Sequence, residues 1–285
     1  MILLTGANGQ LGHDLQKILR KENKDFITTD YKELDITNIE KNIRDFVKDK
    51  NIEVIINCAA YNNVDKAEDE GELCYSLNAY APRDLAIVAK EISAQYITYS
   101  TDFVFDGIKK TPYTEEDIPN PLSIYSRSKA LGERLVLETY DKSFVIRTSW
   151  VFGIANNNFN KQVINWSKNK DELSIVDDQT SSPTYSYDLA LYSLKLLETK
   201  KYGLYHLSNG GVASKYDQAK YVLDYIGWKG QLKRAKSSDF NLPAQRGEFT
   251  KLDSSKLEKV LGEKFPTWES GIDRFMMEMK ERGEI

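Results

Sequence analysis

The sequence predicts an α/β fold in which a parallel sheet, covered by helices on both faces, is followed by a smaller C-terminal lobe. Three observations support this prediction. Short apolar runs alternate with amphipathic helical patterns through the first 150 residues, which is the order of a sheet built from strand–helix–strand units. The glycine and polar motifs fall at the ends of the apolar runs. After Trp150 the alternation loosens and turn-rich segments separate the remaining elements.

The elements of the first half follow one another regularly. Strands are predicted at residues 1–5, 25–30, 53–57, 95–100 and 144–148, and helices near residues 10–21, 38–50, 72–92 and 125–139. Right-handed crossovers should connect the strands, so that their carboxyl ends share one edge of the sheet, where ligands bind in folds of this kind. The prediction is therefore a Rossmann-like, doubly wound parallel sheet.

The second half is less regular. Helices are predicted near residues 159–168, 188–198, 215–226 and 254–261, strands at 173–176 and 203–207, and loops at 156–158 and 177–183. The helical pattern at residues 268–282 fits either a homodimer interface or a helix that covers the sheet, and the sequence leaves both open.

Composition narrows the classes of function. The formal net charge is −4 without a long basic run, which argues against nucleic-acid binding. No apolar stretch approaches the roughly 20 residues that cross a bilayer, and the N-terminus has the pattern of a strand rather than of a signal peptide. With two cysteines and two histidines, the chain offers neither a Ser-His-Asp triad nor a His-rich metal site. We therefore expect a cytoplasmic protein with no membrane or nucleic-acid partner and no metal site.

A glycine turn follows the first predicted strand. Gly6, Gly9 and Gly12 lie between that strand and an amphipathic helix, where glycines let the backbone approach a pyrophosphate and the helix N-terminus adds free N–H groups. Asp30 ends the second strand, about 18 residues further on, where a carboxylate meets a ribose 2′-hydroxyl and repels a 2′-phosphate. Lys32 lies close enough to soften that repulsion. We therefore expect a nicotinamide dinucleotide, with NADH favoured and NADPH as the alternative.

Two further segments belong to the same predicted site. Asp35 either accepts a hydrogen bond from the adenine amino group or caps the helix that begins near Asn38, and the sequence does not decide between these roles. The third strand ends in small residues, including Ala59 and Ala60, which let a cofactor lie flat over the sheet edge. Tight packing alone would favour small residues as well.

The catalytic candidates are a tyrosine and a lysine on one helix. Tyr125 and Lys129 are four residues apart and share a face. Reduction of a carbonyl needs a proton donor beside the developing alkoxide, and an ammonium group near a phenol makes the phenol a better acid. Thr101, at the end of the fourth strand, offers a hydroxyl to the carbonyl oxygen. The three residues together predict hydride transfer at a carbon–oxygen centre.

The chain resembles the extended short-chain dehydrogenase/reductase family and, within it, the dTDP-4-dehydrorhamnose reductase branch. The resemblance covers nearly the whole chain. Its most specific segments are Asp65-Lys66-Ala67-Glu68, Ser100-Thr101-Asp102 and Arg147-Thr148-Ser149-Trp150, and it extends to residues 6–12, 34–37, 57–64, 103–107, 120–125 and 243–246. It implies two parts, a dinucleotide-binding domain at residues 1–150 and a substrate-binding lobe at 151–285, with segments near 184–208 returning to the sheet domain.

The resemblance also implies roles for individual residues. Tyr125 would donate the proton, with Lys129 as its electrostatic partner and Thr101 as the third catalytic member. Reduction at C4 of a nucleotide-linked 4-keto sugar by NAD(P)H is the implied reaction. The implied substrate contacts are Thr101, Asp102, Trp150 and Arg246. The implied cofactor contacts, with those from the glycine turn, are Gly6, Gly9, Gln10, Leu11, Gly12, Asp30, Asp35, Ile36, Ala59, Ala60, Tyr61, Tyr99, Tyr125 and Lys129.

Some positions depart from related patterns. Phe103 stands where sugar dehydratases carry an acid, which favours a single reduction over dehydration. The segment Gly247–Thr250 replaces a Pro and an Asn-Ser pair usual in the family, so the sugar is less firmly implied than the chemistry. Some relatives hold Mg²⁺ between subunits. The matching positions are Asp14, Tyr187 and Glu278, and a tyrosine is a poor ligand for that cation. We expect Asp14 and Glu278 to be solvated helix residues.

Two alternatives remain open at this point. An epimerase or a reductase of a related nucleotide sugar would use the same cofactor site. A non-catalytic regulatory subunit would also bind the cofactor, although the intact set of Thr101, Tyr125 and Lys129 weighs against that role.

Overall fold

The central feature is a six-stranded sheet. The computed structural model describes residues 1–38 and 42–285. Its strands are β1 Ile2–Thr5, β2 Phe26–Thr29, β3 Val54–Asn57, β4 Gln95–Thr101, β5 Ser143–Thr148, β6 Val151–Phe152, β7 Glu172–Val176, β8 Thr180–Ser181, β9 Thr184–Tyr185, β10 Gly203–His206, β11 Ala213–Ser214 and β12 Gln231–Ala235. The central sheet has the order β10-β5-β4-β3-β1-β2, and all its pairs are parallel. The predicted doubly wound parallel sheet is confirmed.

Helices cover both faces of this sheet. The helices of the described residues are α1 Gln10–Lys21, α2 Arg44–Val47, α3 Gly71–Tyr75, α4 Ala81–Glu91, α5 Ile124–Thr139, α6 Phe159–Asn169, α7 Ser186–Thr199, α8 Lys215–Tyr225, α9 Ser255–Leu261 and α10 Trp268–Glu281. The helices α1 and α7 pack on one face of the sheet and α4 and α5 on the other, whereas α6, α8 and α10 pack in the second lobe. Leu3 and Leu4 of β1 point to opposite faces, because side chains alternate along a strand. Leu4 packs in a core with α1 and α7, and Leu3 in a core with α4 and α5.

The helix expected at residues 72–92 is interrupted. A π-helical turn, Ser76–Tyr80, separates α3 from α4. Pro82 follows it and has no N–H to donate to the carbonyl of Asn78, so regular α-helical bonding cannot run through this point. Within the helix expected at residues 38–50, residues 39–41 lie outside the described residues and α2 covers Arg44–Val47.

The second lobe has a core of its own. Phe152 and Tyr185 pack there with Phe275 and Met276 of α10. The expected C-terminal helix therefore covers this lobe rather than the central sheet. β10 lies at the edge of the central sheet beside β5, and α7 packs against α1. In the described part of the chain, no helix is long and apolar enough to cross a membrane.

Candidate active site

The glycine turn after β1 has three positions with different requirements. Gly6 has a φ of +65°, and a Cβ there would lie 2.4 Å from the Ala59 nitrogen. A Cβ at Gly12 would lie 2.5 Å from the Gly6 carbonyl oxygen. A Cβ at Gly9 would meet only that same oxygen, at 3.3 Å, and otherwise enter the adjacent cavities. Gly6 and Gly12 are thus required by the fold, whereas Gly9 leaves room for a ligand.

Two adjoining cavities of about 470 and 520 Å³ meet at Gly9. Together they form a groove along the carboxyl ends of the strands, large enough for a dinucleotide. The first is lined by the predicted residues Gly9, Gln10, Leu11, Gly12, Ala59, Ala60, Tyr99, Thr101, Tyr125, Lys129 and Trp150. The second is lined by Gly6, Gly9, Asp30, Asp35, Ile36, Ala59 and Ala60. Tyr61 lines neither cavity; its hydroxyl donates to Glu70 at 2.7 Å.

Asp30 links the second strand to the glycine turn. Its carboxylate accepts hydrogen bonds from the backbone N–H of Asn8 at 3.0 Å and of Tyr31 at 2.8 Å. Asp35 accepts from the backbone N–H of Thr37 at 3.0 Å and from its hydroxyl at 2.7 Å. Both carboxylates stabilise local turns and also line the cavity at this end of the groove.

An asparagine loop from the second lobe closes over the glycine turn. The side-chain amide of Asn156 donates to the Asn8 carbonyl at 2.7 Å, and that of Gln10 donates to the Asn157 carbonyl at 3.1 Å. Both asparagines line the first cavity. Sequence reasoning identified this segment only as a loop. The contact with the glycine turn was missed. The sequence feature that could have indicated it is the run of three asparagines at residues 156–158, because amide side chains both donate and accept hydrogen bonds.

The helix α5 positions the catalytic candidates. It begins with a capping box in which Ser123 and Ser126 bond to each other's backbone N–H. Tyr125 and Lys129 both face the first cavity and are each 7% exposed. The ammonium of Lys129 donates to the Tyr99 carbonyl at 2.7 Å, which fixes its direction.

Burial sets the protonation of both groups. It raises the pKa of the Tyr125 phenol, an effect that a hydrogen bond with Thr101 partly offsets. It lowers the pKa of Lys129 to about 8, although the nearby carboxylate of Glu133 acts in the opposite direction. At neutral pH the phenol therefore keeps its proton and most of the lysine keeps its charge. These are the states required of a proton donor and of an electrostatic partner.

Asp102 follows Thr101 but lies behind the cavity wall. It is 1% exposed, and its carboxylate accepts hydrogen bonds from the hydroxyls of Thr250 at 2.5 Å, Ser181 at 2.9 Å and Thr101 at 3.2 Å. Burial raises the pKa of Asp102 to about 6, despite these bonds. The segment Gly247–Thr250, which differs from the usual family pattern, therefore contacts the site through the hydrogen bond from Thr250 to Asp102.

Trp150 forms part of the cavity wall with a strained backbone. Its φ is +45°, a left-handed conformation that is rare for a bulky side chain. Its indole N–H is buried and has no hydrogen-bond partner among the described residues. Backbone strain of this kind is concentrated at ligand sites.

A third cavity, of about 590 Å³, lies beside the second lobe. Its wall is mainly apolar and aromatic, and it includes Phe159, Trp166 and Phe240. Arg246 also lines it and forms an ion pair with Asp65 at 2.7 Å. This cavity, rather than the one beside Tyr125, is where the structure places Arg246.

The expectation of solvated side chains is wrong for Asp14, whereas Glu278 is half-buried. Asp14 is 1% exposed, its carboxylate accepts a hydrogen bond from Ser186, and burial raises its pKa. Glu278 accepts from Lys17 at 2.9 Å, and the ammonium of Lys17 lies 5.6 Å from the ring centre of Tyr187. The helix α7 packs against α1, which removes this side of α1 from solvent. Among the described residues, no group of three or more metal-ligating side chains is arranged to hold a metal ion.

Comparisons with known proteins agree with one another. The family model described as the RmlD substrate binding domain matches residues 1–281. A dTDP-4-dehydrorhamnose reductase from Aggregatibacter actinomycetemcomitans is 37% identical over 284 residues, covering 95% of this chain and 96% of that protein. A solved dTDP-4-dehydrorhamnose reductase from Bacillus anthracis, in complex with NADP, matches with a TM-score of 0.93 at 39% identity, covering 97% of this chain and 98% of its own. The Clostridium acetobutylicum ortholog matches with a TM-score of 0.95 at 37% identity, covering 98% and 99%.

Proposed function

Because the chain belongs to the family of the RmlD substrate binding domain, we propose that it reduces the C4 keto group of dTDP-4-dehydro-L-rhamnose to give dTDP-L-rhamnose, using NAD(P)H. One observation supports this function above all others. Thr101, Tyr125 and Lys129 line the same cavity as Gly9, so a proton donor and a phosphate-binding turn share one groove. An intact set of this kind weighs against a non-catalytic regulatory subunit.

The residues of the groove fit a nicotinamide dinucleotide. Gly9 leaves space for a pyrophosphate beside the N-terminus of α1, whose free N–H groups favour an anion. At the other end, Asp30 and Asp35 line the cavity that suits the adenosine half. When bound, NAD(P)H supplies the hydride that reduces the substrate carbonyl.

The chain's own residues supply the proton and the electrostatic environment. Tyr125 holds a proton at its phenolic oxygen and gives it to the oxygen that becomes the C4 hydroxyl. The Lys129 ammonium favours the phenolate that Tyr125 becomes, because an opposite charge nearby stabilises the ionised form. The Thr101 hydroxyl lowers the pKa of the phenol, and its single proton, which Asp102 accepts in the free protein, can turn to the substrate oxygen. Asp102 acts through Thr101, which it contacts, rather than on the substrate directly.

The substrate is proposed to extend across the wall formed by Trp150. The sugar lies in the first cavity beside Tyr125, and the nucleoside lies in the third cavity, whose aromatic wall suits a base. Arg246 borders the nucleoside end. The volume of the third cavity, about 590 Å³, is within the range of small-molecule sites.

For the cofactor, the finer proposal is NADH, with NADPH as the alternative. The carboxylate of Asp30 lies at the adenosine end and would repel a 2′-phosphate. A related reductase of known structure is nevertheless in complex with NADP. The ratio of the two kcat/KM values decides between the cofactors.

Three other expectations stay predictions. A cytoplasmic location follows from the dependence on the NAD(P)H pool of the cell. A homodimer is retained without an assigned interface, since α10 buries its apolar face within its own lobe. Mg²⁺ is not expected, because Lys17 already supplies a cation to Glu278.

The test follows oxidation of NADH by the purified protein given dTDP-4-dehydro-L-rhamnose, with product identification by mass spectrometry. We expect rapid oxidation and dTDP-rhamnose as product. Tyr125→Phe should be almost inactive. The matched control Tyr140→Phe removes a buried hydroxyl at the end of α5 that has no hydrogen-bond partner in residues 1–38 and 42–285, and it should be fully active. If NADH is oxidised only with other nucleotide keto sugars, the proposed substrate is wrong and one of those sugars takes its place. NADH binding without oxidation of any such sugar would refute the reductase function.

A further inference from the structure

Lys215 begins α8 and lies behind the wall that Trp150 forms. Its ammonium nitrogen is 3.5 Å from the centre of the Trp150 ring and 4.7 Å from that of Phe159. Trp150 lines the first cavity, whereas Lys215 lines the third. The ammonium is therefore at the boundary between the cavity beside Tyr125 and the aromatic cavity of the second lobe.

Some charged side chains around this boundary form ion pairs, and Lys215 does not. Arg246 is paired with Asp65 at 2.7 Å, and Glu172, on the same cavity wall, is paired with Lys233 at 2.6 Å. Lys215 has no carboxylate within ion-pair distance in residues 1–38 and 42–285.

The charged groups that act on Lys215 from a distance, Asp102 and Arg246, do not provide it with a counter-ion. The carboxylate of Asp102 acts on it from a distance, but that carboxylate already accepts hydrogen bonds from three hydroxyls. The guanidinium of Arg246 opposes the charge of Lys215. An ammonium stacked on two aromatic rings and lacking a counter-ion is suited to an anionic ligand, because a buried charge is otherwise costly.

We propose that Lys215 binds the diphosphate of the nucleotide sugar and thereby selects nucleoside diphosphate derivatives over uncharged sugars. This inference rests on the proposed function. The diphosphate joins the sugar to the nucleoside, so a substrate whose sugar lies beside Tyr125 and whose base lies in the third cavity must place its phosphates at the boundary where Lys215 lies. Lysine binds phosphate as a compact point charge.

Binding should also change the proton content of Lys215. Its pKa is lowered to about 7, mainly by burial, with the Asp102 charge raising it and the Arg246 charge lowering it. A bound diphosphate favours the charged form, so the pKa of Lys215 should rise on binding. At pH 8 the free protein is mostly deprotonated at this site, and the complex should therefore take up close to one proton.

The experiment is calorimetric titration with dTDP and, separately, thymidine at pH 8, in two buffers of different ionisation enthalpy. The variants are Lys215→Met and Lys215→Arg. Lys220→Met is the matched control, since Lys220 lies on the exposed side of the same helix and pairs with Asp224. We expect Lys215→Met to lose about tenfold or more in dTDP affinity, with thymidine binding unchanged and no proton uptake. Lys215→Arg should retain most of the affinity but take up no proton, because arginine stays charged.

The outcomes separate this inference from the proposed function. If Lys215→Met binds dTDP as the wild type does, with the same proton uptake, Lys215 does not bind the diphosphate, whatever the reductase assay shows. If the variant loses dTDP and thymidine affinity equally, the lysine only supports Trp150 and the inference is refuted. If the wild type binds NADH but neither dTDP nor the nucleotide sugar, the proposed function fails and this inference fails with it. In steady-state kinetics, Lys215→Met should raise KM for the nucleotide sugar and leave kcat within about twofold.

Discussion

The buried ammonium of Lys129 should destabilise the fold while it supports catalysis. Its pKa lies at about 8 in the folded protein, against a usual value of 10.5. That difference corresponds to about 3 kcal/mol of unfavourable charge burial at pH 7. Replacement by methionine also removes the hydrogen bond to the Tyr99 carbonyl, a loss of about 1 kcal/mol. We therefore expect Lys129→Met to be more stable than the wild type by about 2 kcal/mol at pH 7.

The pH dependence of this gain has a definite sign. The unfolded chain binds the Lys129 proton up to about pH 10.5, whereas the folded chain loses it near pH 8. The cost of the buried charge is thus fully present below pH 8, declines as the pH rises from 8 to 10.5, and is absent above that range. The stability gain of Lys129→Met should shrink over the same interval.

Urea denaturation of both proteins between pH 7 and pH 10 measures this difference. Lys90→Met is the control, because Lys90 is exposed and its ammonium also donates to a backbone carbonyl, that of Thr139 at 3.3 Å. The control should change the free energy of unfolding by less than about 0.5 kcal/mol. Turnover of Lys129→Met should fall by about a hundredfold or more. A methionine variant less stable than wild type at pH 7, or a gain independent of pH, would refute the reasoning.

Three other changes give sharp expectations. Tyr125→Phe should leave NADH affinity nearly intact, by fluorescence titration, while turnover falls by about 10² to 10⁴-fold, because acid catalysis is lost. Asp30→Asn should raise the ratio of the NADPH to the NADH kcat/KM about tenfold, since a charge facing the 2′-phosphate is removed, and an unchanged ratio would remove Asp30 from cofactor selection. Thr250→Val should lower the free energy of unfolding at pH 8 by about 1.5 to 3 kcal/mol, because the Asp102 carboxylate loses a donor. The loss should be smaller at pH 5, below the wild-type Asp102 pKa of about 6, and urea denaturation at both values checks this.

The sequence predicted the central sheet well because its strands are buried and apolar. All four residues of β3 are buried, and so are all six of β5, which is the pattern of strands covered on both faces. It did not predict β12, Gln231–Ala235, of which only the last residue is buried. That strand pairs with β7 alone, so its polar residues carry no alternation that a sequence pattern could reveal.

In the candidate site, too, the residues brought together by local geometry were predicted, and those brought together by long-range packing were missed. The glycine turn and the Tyr125–Lys129 pair were predicted because local geometry, a tight turn or one helix face, brings their residues together. Lys215 was missed, because a lysine at the start of a helix has the pattern of a solvated residue and its contact with Trp150 spans 65 positions of the chain. Asp14 was placed in solvent because the sequence does not show that α7 packs against α1.

The left-handed backbone of Trp150 places opposite demands on one position. A glycine there would relieve strain of about 1 to 3 kcal/mol, but it would remove the indole that forms the wall of the cavity beside Tyr125. Lys129 is subject to the same conflict. Thermal selection without an activity screen should therefore enrich substitutions at these two positions, and the stabilised variants would be inactive. Directed evolution of this protein for stability must therefore also select for catalytic turnover from the first round.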